Sequence, residues 1–461
     1  MRPVLLSKIA QWCEGRHLGA DVLIGAVSTD SRTITPGSLF VALRGENFDA
    51  HDMVAEAEAR GAAALLLHRD VATDLPRVLC ADTQEALGEF AAGMQKDRSA
   101  VVVALTGSNG KTSVKMLTNG ILSRVGRTYI NPGNRNNEIG LPLAVLDAPE
   151  DAEFAIYEMG AGKPGDIAYL ASIAPPQVAL VNNIAPAHME RMGSLLGIAE
   201  TKGAIYEALP DDGVAVINAD DAFAPMFGQI VGNRRSFRFG IENDADVRAS
   251  RIRHEAGASR FQLHTPAGSA DILLPLPGRH NVMNALAATS LALAAGADFE
   301  SVVDGLQNAV PVKGRQIAQR LDNGAVLIDD SYNANPGSVA AAIAALAQNT
   351  GDTWLVLGDM AELGEGAAML HAEIGGQAKR AGISRLWTVG RLSRAAAAAF
   401  GDGGSHHESQ TALIAELFMA LQRRKTGAGL TILVKGSRSS AMEKVVSALL
   451  ADDKEDTGHA A

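Results

Sequence analysis

Apolar residues along this chain fall into short continuous runs, separated by stretches with helical spacing. Such runs fit strands buried on both faces, and their alternation with helices argues for parallel sheets covered on both sides. In a first block, up to about Arg98, Ser38–Leu43 reads as a strand, Met53–Arg60 as a helix and Ala62–Leu67 as a short buried strand. The polar segment Lys96–Ser99 reads as a linker. A second block opens with the apolar run Ala100–Leu105, followed by glycines and a helical stretch from Thr112 to Arg124. Further strands of the same type are expected at Phe154–Met159, Val178–Asn182 and Val214–Asn218. A third block starts near Pro311 with strands at Ala325–Ile328, Trp354–Leu357, Leu386–Val389 and Leu430–Val434. Helices follow the first and the last of these, the rhythm of a Rossmann-like domain. The alanine run 395–399 reads as helix, and the polar tail Asp452–Ala461 as irregular.

A length of 461 residues exceeds one ordinary core and suits three domains, with divisions expected at 1–98, 99–312 and 313–461. Aromatic residues make up only 4%, which favours close-packed α/β layers over a β-sandwich. The formal net charge of −11 leaves no global basic field to draw nucleic acid, although anions can still bind at a local positive spot. Cys13 and Cys80 have no motif spacing, so neither a disulfide framework nor a zinc site is expected, and a reducing compartment fits. The N-terminal segment lacks the apolar region of a signal peptide, and no run reaches the roughly 18 apolar residues of a membrane span. A cytoplasmic monomer is the expectation.

The strongest chemical signal is Thr106-Gly107-Ser108-Asn109-Gly110-Lys111-Thr112-Ser113, between a buried strand and a helix. Backbone N–H groups at a helix N-terminus bind anions, glycines let the chain approach phosphates, and a lysine reaches the outer ones. The Thr112 hydroxyl suits Mg²⁺. The general pattern wants a glycine five residues before Gly110, where Leu105 stands. Glu158 and His188 lie at or after strand ends, where open sheets bind ligands, and Lys202 lies in Glu200-Thr201-Lys202-Gly203. Taken singly, His188 reads as an ordinary loop histidine, because Mg²⁺ prefers oxygen, and Lys202 as a solvated helix lysine. Asn281 and Asn284 open an alanine-rich helix; an asparagine amide can pair with an adenine edge, but by spacing alone helix capping fits equally well. The polar loop Asp329-Asp330-Ser331-Tyr332-Asn333-Ala334-Asn335 follows a strand and suits a ligand, while Asn335 also suits the cap of a helix starting at Pro336. Lys435-Gly436-Ser437-Arg438 ends the last strand in the same way.

In one order along the chain, these pieces resemble the Mur ligases. The likeness runs from about Val27 to Leu450. It also draws on Gly133-Asn134-Arg135-Asn136-Asn137-Glu138-Ile139-Gly140, Asn183–His188, Lys313-Gly314-Arg315 and Gly358–Gly364. The resemblance implies a small α/β UDP-binding domain, a central P-loop parallel-sheet ATPase domain and a C-terminal Rossmann-like domain for the acceptor. It implies ATP and Mg²⁺ as cofactors and an amide bond formed through an acyl-phosphate. Gly107, Ser108, Asn109, Gly110, Lys111, Thr112 and Ser113 would cradle the phosphates. Thr112, Glu158, His188 and a carbamylated Lys202 would hold metal. Asn284 would meet adenine, Arg315 the phosphates and Asp330 the ribose. Ser28, Thr29, Asp30, Ser31 and Arg32, with Asn134 and Asn137, would meet a UDP-N-acetylmuramoyl-tripeptide donor. There the family's Asp-Gly-His reads Asp49-Ala50-His51, so a glycine turn is lost. Tyr332, Asn333 and Asn335 would meet the acceptor. The sibling that adds diaminopimelate or lysine carries an Asp-Asn-Pro-Arg motif absent from this chain, so D-alanyl-D-alanine is the implied acceptor. That sibling and a folylpolyglutamate synthase-like ligase remain as alternatives, together with a P-loop ATPase acting as a switch.

Overall fold

The computed structural model describes residues 1–45, 47–186, 189–255, 257–424 and 426–455, with side chains up to residue 451. Three main sheets follow one another along the chain, each with its own helices, in a three-domain α/β architecture. The first sheet has the order Arg16–Leu18, Arg77–Leu79, Ala64–Leu67, Ser38–Val41, Ala26–Ser28, and only its first strand is antiparallel. Its central strands are buried on both faces. Leu39 and Val41 join one apolar cluster, and the intervening Phe40 joins another, as the period of two demands.

The expected linker turns out to be pinned. The helix Thr83–Lys96 is capped by Asp82, whose side chain accepts from the N–H groups of Gln84 and Glu85. Its Leu87, Phe90 and Met94 pack in the same core as Leu141 and Val145 of the central domain. Just after it, Arg98 donates to the carbonyls of Val145 (2.5 Å) and Ala148 (2.9 Å).

The central sheet runs Thr128–Ile130, Phe154–Glu158, Val101–Thr106, Val178–Val181, Val214–Asn218, Arg235–Gly240, Val247–Glu255, Ala258–Thr265, Gly268–Leu274. Its first seven strands are mutually parallel. The last two are antiparallel, which corrects the expectation of a wholly parallel sheet. Val247–Glu255 and its neighbours alternate buried with exposed residues, the mark of an edge with one face in water. Their charged positions hide them from a search for continuous apolar runs.

The third sheet runs Ile317–Arg320, Val326–Asp330, Leu430–Lys435, Asp352–Gly358, Arg385–Val389, Gly404–His407. All but the first strand are parallel. Helices follow the middle strands too, at Ala367–Arg380 and Arg394–Phe400, which corrects the sparser reading. The alanine run is helical as expected. The helix Glu443–Glu455 continues into the tail read as irregular; residues 456–461 lie outside the described residues.

Candidate active site

The carboxyl ends of the central strands of the second and third sheets open on one cavity of about 390 Å³. The phosphate loop forms part of its wall. Gly110 precedes the helix Lys111–Leu122 with φ 78°, a left-handed value that favours glycine, and no side chain caps the helix. A Cβ at Gly110 would come within 2.4 Å of Asn284 Oδ1 and 2.6 Å of Asn182 Nδ2. The loop is braced from the neighbouring strand end. Asn109 N donates to Asn183 Oδ1 (2.9 Å), Ser108 N donates to the Asn183 carbonyl (2.9 Å), and Ser108 Oγ donates to the Ala185 carbonyl (2.9 Å). Uncapped helical N–H groups behind a glycine loop are a ready anion site. Leu105, in the place of the expected glycine, is fully buried in the preceding strand.

Lys111 lines the cavity, and its Nζ donates to the Gly107 carbonyl at 2.7 Å. Burial lowers its pKa, and the neighbouring Glu158 carboxylate offsets part of that. Glu158 ends its strand at 3% exposure. Its Oε2 accepts from Thr112 Oγ1 (2.9 Å) and its Oε1 from Asn136 Nδ2 (2.9 Å). Burial alone would raise this carboxyl, but the charges of Lys115 and Lys111 outweigh it and hold the pKa below the ordinary value. Lys202 sits on the helix Leu195–Glu207 at 2% exposure. It is not the solvated lysine that its local sequence suggests. Burial, reinforced by the charge of Lys111, pushes its pKa well below the usual lysine range. His188 lies outside the described residues.

On the nucleotide side, Asn281 and Asn284 line the cavity and neither caps its helix; Gly278 holds that position without a side-chain bond. The Asn281 amide donates to the Pro277 carbonyl (2.7 Å). Asn284 Oδ1 accepts from Asn182 Nδ2 (3.2 Å), and its Nδ2 donates to Asn281 Oδ1 (3.3 Å). That chain of amides fixes which edge Asn284 presents.

The third domain closes the other side. Arg315 Nη2 donates to Thr112 Oγ1 at 3.0 Å across the domain boundary, and its guanidinium lies 4.4 Å from the centre of the Tyr332 ring. Its Nε is buried without a hydrogen-bond partner among the described residues. Asp330 Oδ2 accepts from Lys435 Nζ at 2.6 Å, and the same ammonium donates to the Asn333 carbonyl at 3.0 Å. Asn335 does cap the helix Pro336–Leu346, in a reciprocal box with Ser338, and its Nδ2 also reaches Asn109 Oδ1 at 2.8 Å. Tyr332, Asn333 and Asn335 all line the cavity.

The residues expected to meet the donor do not line this cavity. Ser28, Thr29, Asp30, Ser31 and Arg32 form a strand end and turn in the first domain. In it, Asp30 accepts from Arg32 N and Nε at 2.9 Å each, and Ser31 Oγ donates to Glu56 Oε2 at 2.8 Å. Asn134 is exposed, and Asn137 Oδ1 accepts from Gly140 N (2.8 Å) at the start of the helix Gly140–Asp147. The lost glycine at Ala50 carries no strain, since Ala50 opens a 3₁₀ turn with negative φ.

Four polar residues that the sequence reading passed over belong to this site. Asn131 and Lys115 support Glu158, Asn182 orients Asn284, and His280 lines the cavity. Lys115 had one legible signal: it falls three and four residues after Thr112 and Lys111, on the same helix face.

Sequence profiles described as Mur ligase family catalytic domain, Mur ligase middle domain and Mur ligase glutamate ligase domain match residues 23–95, 105–292 and 315–438. UDP-N-acetylmuramoyl-tripeptide–D-alanyl-D-alanine ligase of Escherichia coli K12 is 46% identical over 450 residues, covering 97% of this chain and 99% of that protein. A crystal structure of MurF from Acinetobacter baumannii superposes with a TM-score of 0.94 at 33% identity, over 98% of this chain and 99% of that one. The MurF ligase of Thermotoga maritima, crystallised in complex with ADP, gives a TM-score of 0.83 at 27% identity over 94% and 98%. With three profiles in sequence and close relatives spanning nearly its whole length, the chain belongs to the Mur ligase family.

Proposed function

We propose that the chain is an ATP-dependent ligase that joins the carboxylate of UDP-N-acetylmuramoyl-tripeptide to the amine of D-alanyl-D-alanine, giving the pentapeptide precursor of peptidoglycan. One observation carries this reading: the phosphate loop and the Tyr332–Asn335 loop of another domain wall the same cavity and touch through Asn109 and Asn335. Such a cavity suits a nucleotide whose outer phosphate must meet two other substrates. The name of the 46% identical relative supports D-alanyl-D-alanine over the diaminopimelate or lysine of the sibling ligase. The free cysteines Cys13 and Cys80 suit a reducing, cytoplasmic setting, and no helix among the described residues is long and apolar enough to cross a membrane.

In this reading the donor carboxylate attacks the γ-phosphorus of ATP and ADP leaves. The acyl-phosphate replaces an oxide leaving group with phosphate. The acceptor amine then attacks the carbonyl carbon, and the tetrahedral intermediate collapses to amide and inorganic phosphate. Negative charge grows on crowded oxygens in both steps. Lys111, the uncapped N–H groups after Gly110 and Arg315 are the groups of this chain that would stabilise it. Asn284, oriented by Asn182, would read adenine. Asp330, steadied by Lys435, would accept from a ribose hydroxyl. Tyr332, Asn333 and Asn335 would receive the dipeptide. The first domain, 1–98, would hold the uridine end through Ser28–Arg32.

Mg²⁺ fits this donor set. Thr112 and Glu158 are hard oxygen donors beside the phosphate loop, and Glu158 is kept anionic by its cationic neighbours. When bound, Mg²⁺ would neutralise phosphate charge. A lysine ammonium would not fit beside it. Burial, however, favours the uncharged amine of Lys202, the form that reacts with CO₂, and its carbamate would be an oxygen donor. Competition among acceptors tests the assignment. D-alanyl-D-alanine should yield amide product with the tripeptide donor, and product from diaminopimelate with the dipeptide donor instead would overturn it.

A further inference from the structure

We propose that Lys115 is a positioning residue that holds Glu158 and the 131–136 turn in place and thereby sets the affinity for metal-bound ATP; this rests on the nucleotide reading above. Lys115 is 1% exposed and does not line the cavity, so it acts through other residues. Its ammonium has three donors and three partners from two separate segments. Nζ donates to the Asn131 carbonyl at 2.9 Å and the Gly133 carbonyl at 3.4 Å, and lies 3.3 Å from Glu158 Oε2. Lys111, one helical turn earlier, instead lines the cavity and donates to its own loop at the Gly107 carbonyl. Two lysines on one helix face thus divide the work, one towards the ligand and one away from it.

The contacts around Glu158 close into a ring. Glu158 N donates to Asn131 Oδ1 (2.9 Å), and Asn131 Nδ2 donates back to the Glu158 carbonyl (3.1 Å). The carbonyl of the same Asn131 accepts from Lys115, and Lys115 meets the Glu158 carboxylate. Asn136, from the far side of the turn, holds the other carboxylate oxygen. Bound phosphate would draw Lys111 and Thr112 to itself. Lys115 and Asn136 are then the contacts that keep the long Glu158 side chain in one rotamer.

Calorimetric titration of the full chain with ATP, with and without Mg²⁺, tests this directly. The wild type should bind ATP more tightly with Mg²⁺ than without. Lys115→Met should lose about 10–100-fold of affinity with Mg²⁺ while metal-free affinity moves by less than about threefold. Lys115→Arg, which keeps the charge, should recover part of the Mg²⁺ gain. In turnover, kcat should fall in Lys115→Met with the KM for D-alanyl-D-alanine unchanged. A purely structural lysine would lower the melting temperature and leave the Mg²⁺ gain intact; that result in folded Lys115→Met would overturn the proposal. If Lys115→Met does not fold, Asn136→Ala decides, since it frees the same carboxylate without stranding a charge. A smaller loss of the Mg²⁺ gain supports the proposal, and an unchanged gain overturns it. Wild type with no Mg²⁺ gain would overturn the nucleotide reading itself, before any variant is compared.

Discussion

Asn335 Nδ2 donates to Asn109 Oδ1 at 2.8 Å while its own Oδ1 accepts from Ser338 N at 2.9 Å, so one amide both caps a helix of the third domain and touches the phosphate loop of the second. The two tasks use opposite ends of the side chain and can be separated. Asn335→Asp keeps the capping acceptor and loses the donor. It should melt near the wild type but show a raised KM for D-alanyl-D-alanine, with the KM for the UDP-linked donor within a few-fold. Asn335→Ala should add a stability loss of about 1 kcal/mol. Steady-state kinetics and melting curves check both, and a donor KM that rises as far as the dipeptide KM would remove this loop from the acceptor site.

Lys111→Ala should abolish ligation and leave the fold intact. Its ammonium is the cation of the phosphate loop that lines the cavity, and one such donor is worth on the order of 10²–10³ in rate. A variant with more than about a tenth of wild-type activity contradicts the role.

Lys202 links stability to pH. Its folded pKa lies well below its unfolded value, so between that lowered value and about 10.4 the unfolded chain binds one more proton than the folded one. Stability from this group therefore rises with pH across that window and is lost as pH falls. In CO₂-depleted buffer, Lys202→Met should flatten that rise, as read by denaturant melts at several pH values. With CO₂ present, the wild-type lysine should carry a carbamate visible by ¹³C NMR. Lys202→Ala should be nearly inactive and recover activity with a short carboxylic acid; no recovery and no carbamate signal would count against the metal-ligand role.

Asp330 and Lys435 form a buried ion pair, with side chains 10% and 4% exposed. Removing one partner strands the other, so Asp330→Ala should cost about 3–5 kcal/mol of stability. Its kinetic loss then cannot be assigned to a ribose contact. Asp330→Asn, which keeps an oxygen opposite Lys435, is the variant whose KM for ATP reports that contact. A melting temperature unchanged in Asp330→Ala would contradict the structural half of this account.

The parts of this molecule that were legible in the sequence are those where one residue type has one physical reason. Ala100–Leu105 and Leu430–Val434 read as strands because both faces are buried, and the structure has them at Val101–Thr106 and Leu430–Lys435; Thr106–Ser113 read as a phosphate loop because glycines must sit between strand and helix. The antiparallel strands Ala258–Thr265 and Gly268–Leu274 and their neighbour Val247–Glu255 were not legible, because exposed residues such as Arg248, Arg253 and His254 interrupt the apolar positions. Lys202 read as a solvated helix lysine and Lys115 drew no reading, since a single sequence does not reveal which helix face packs inward. The capping alternative was right for Asn335 and wrong for Asn284, whose helix starts at Arg279 behind Gly278 with no side-chain cap.

The central claim is that phosphate transfer and amide formation are one coupled reaction. Phosphate release measured alongside product detection tests it most directly, with ATP, Mg²⁺ and the tripeptide donor present and D-alanyl-D-alanine added or withheld. Release should rise sharply when the dipeptide is added and match the amide product one for one. Phosphate release at the same rate without the dipeptide, and with no amide formed, would contradict it.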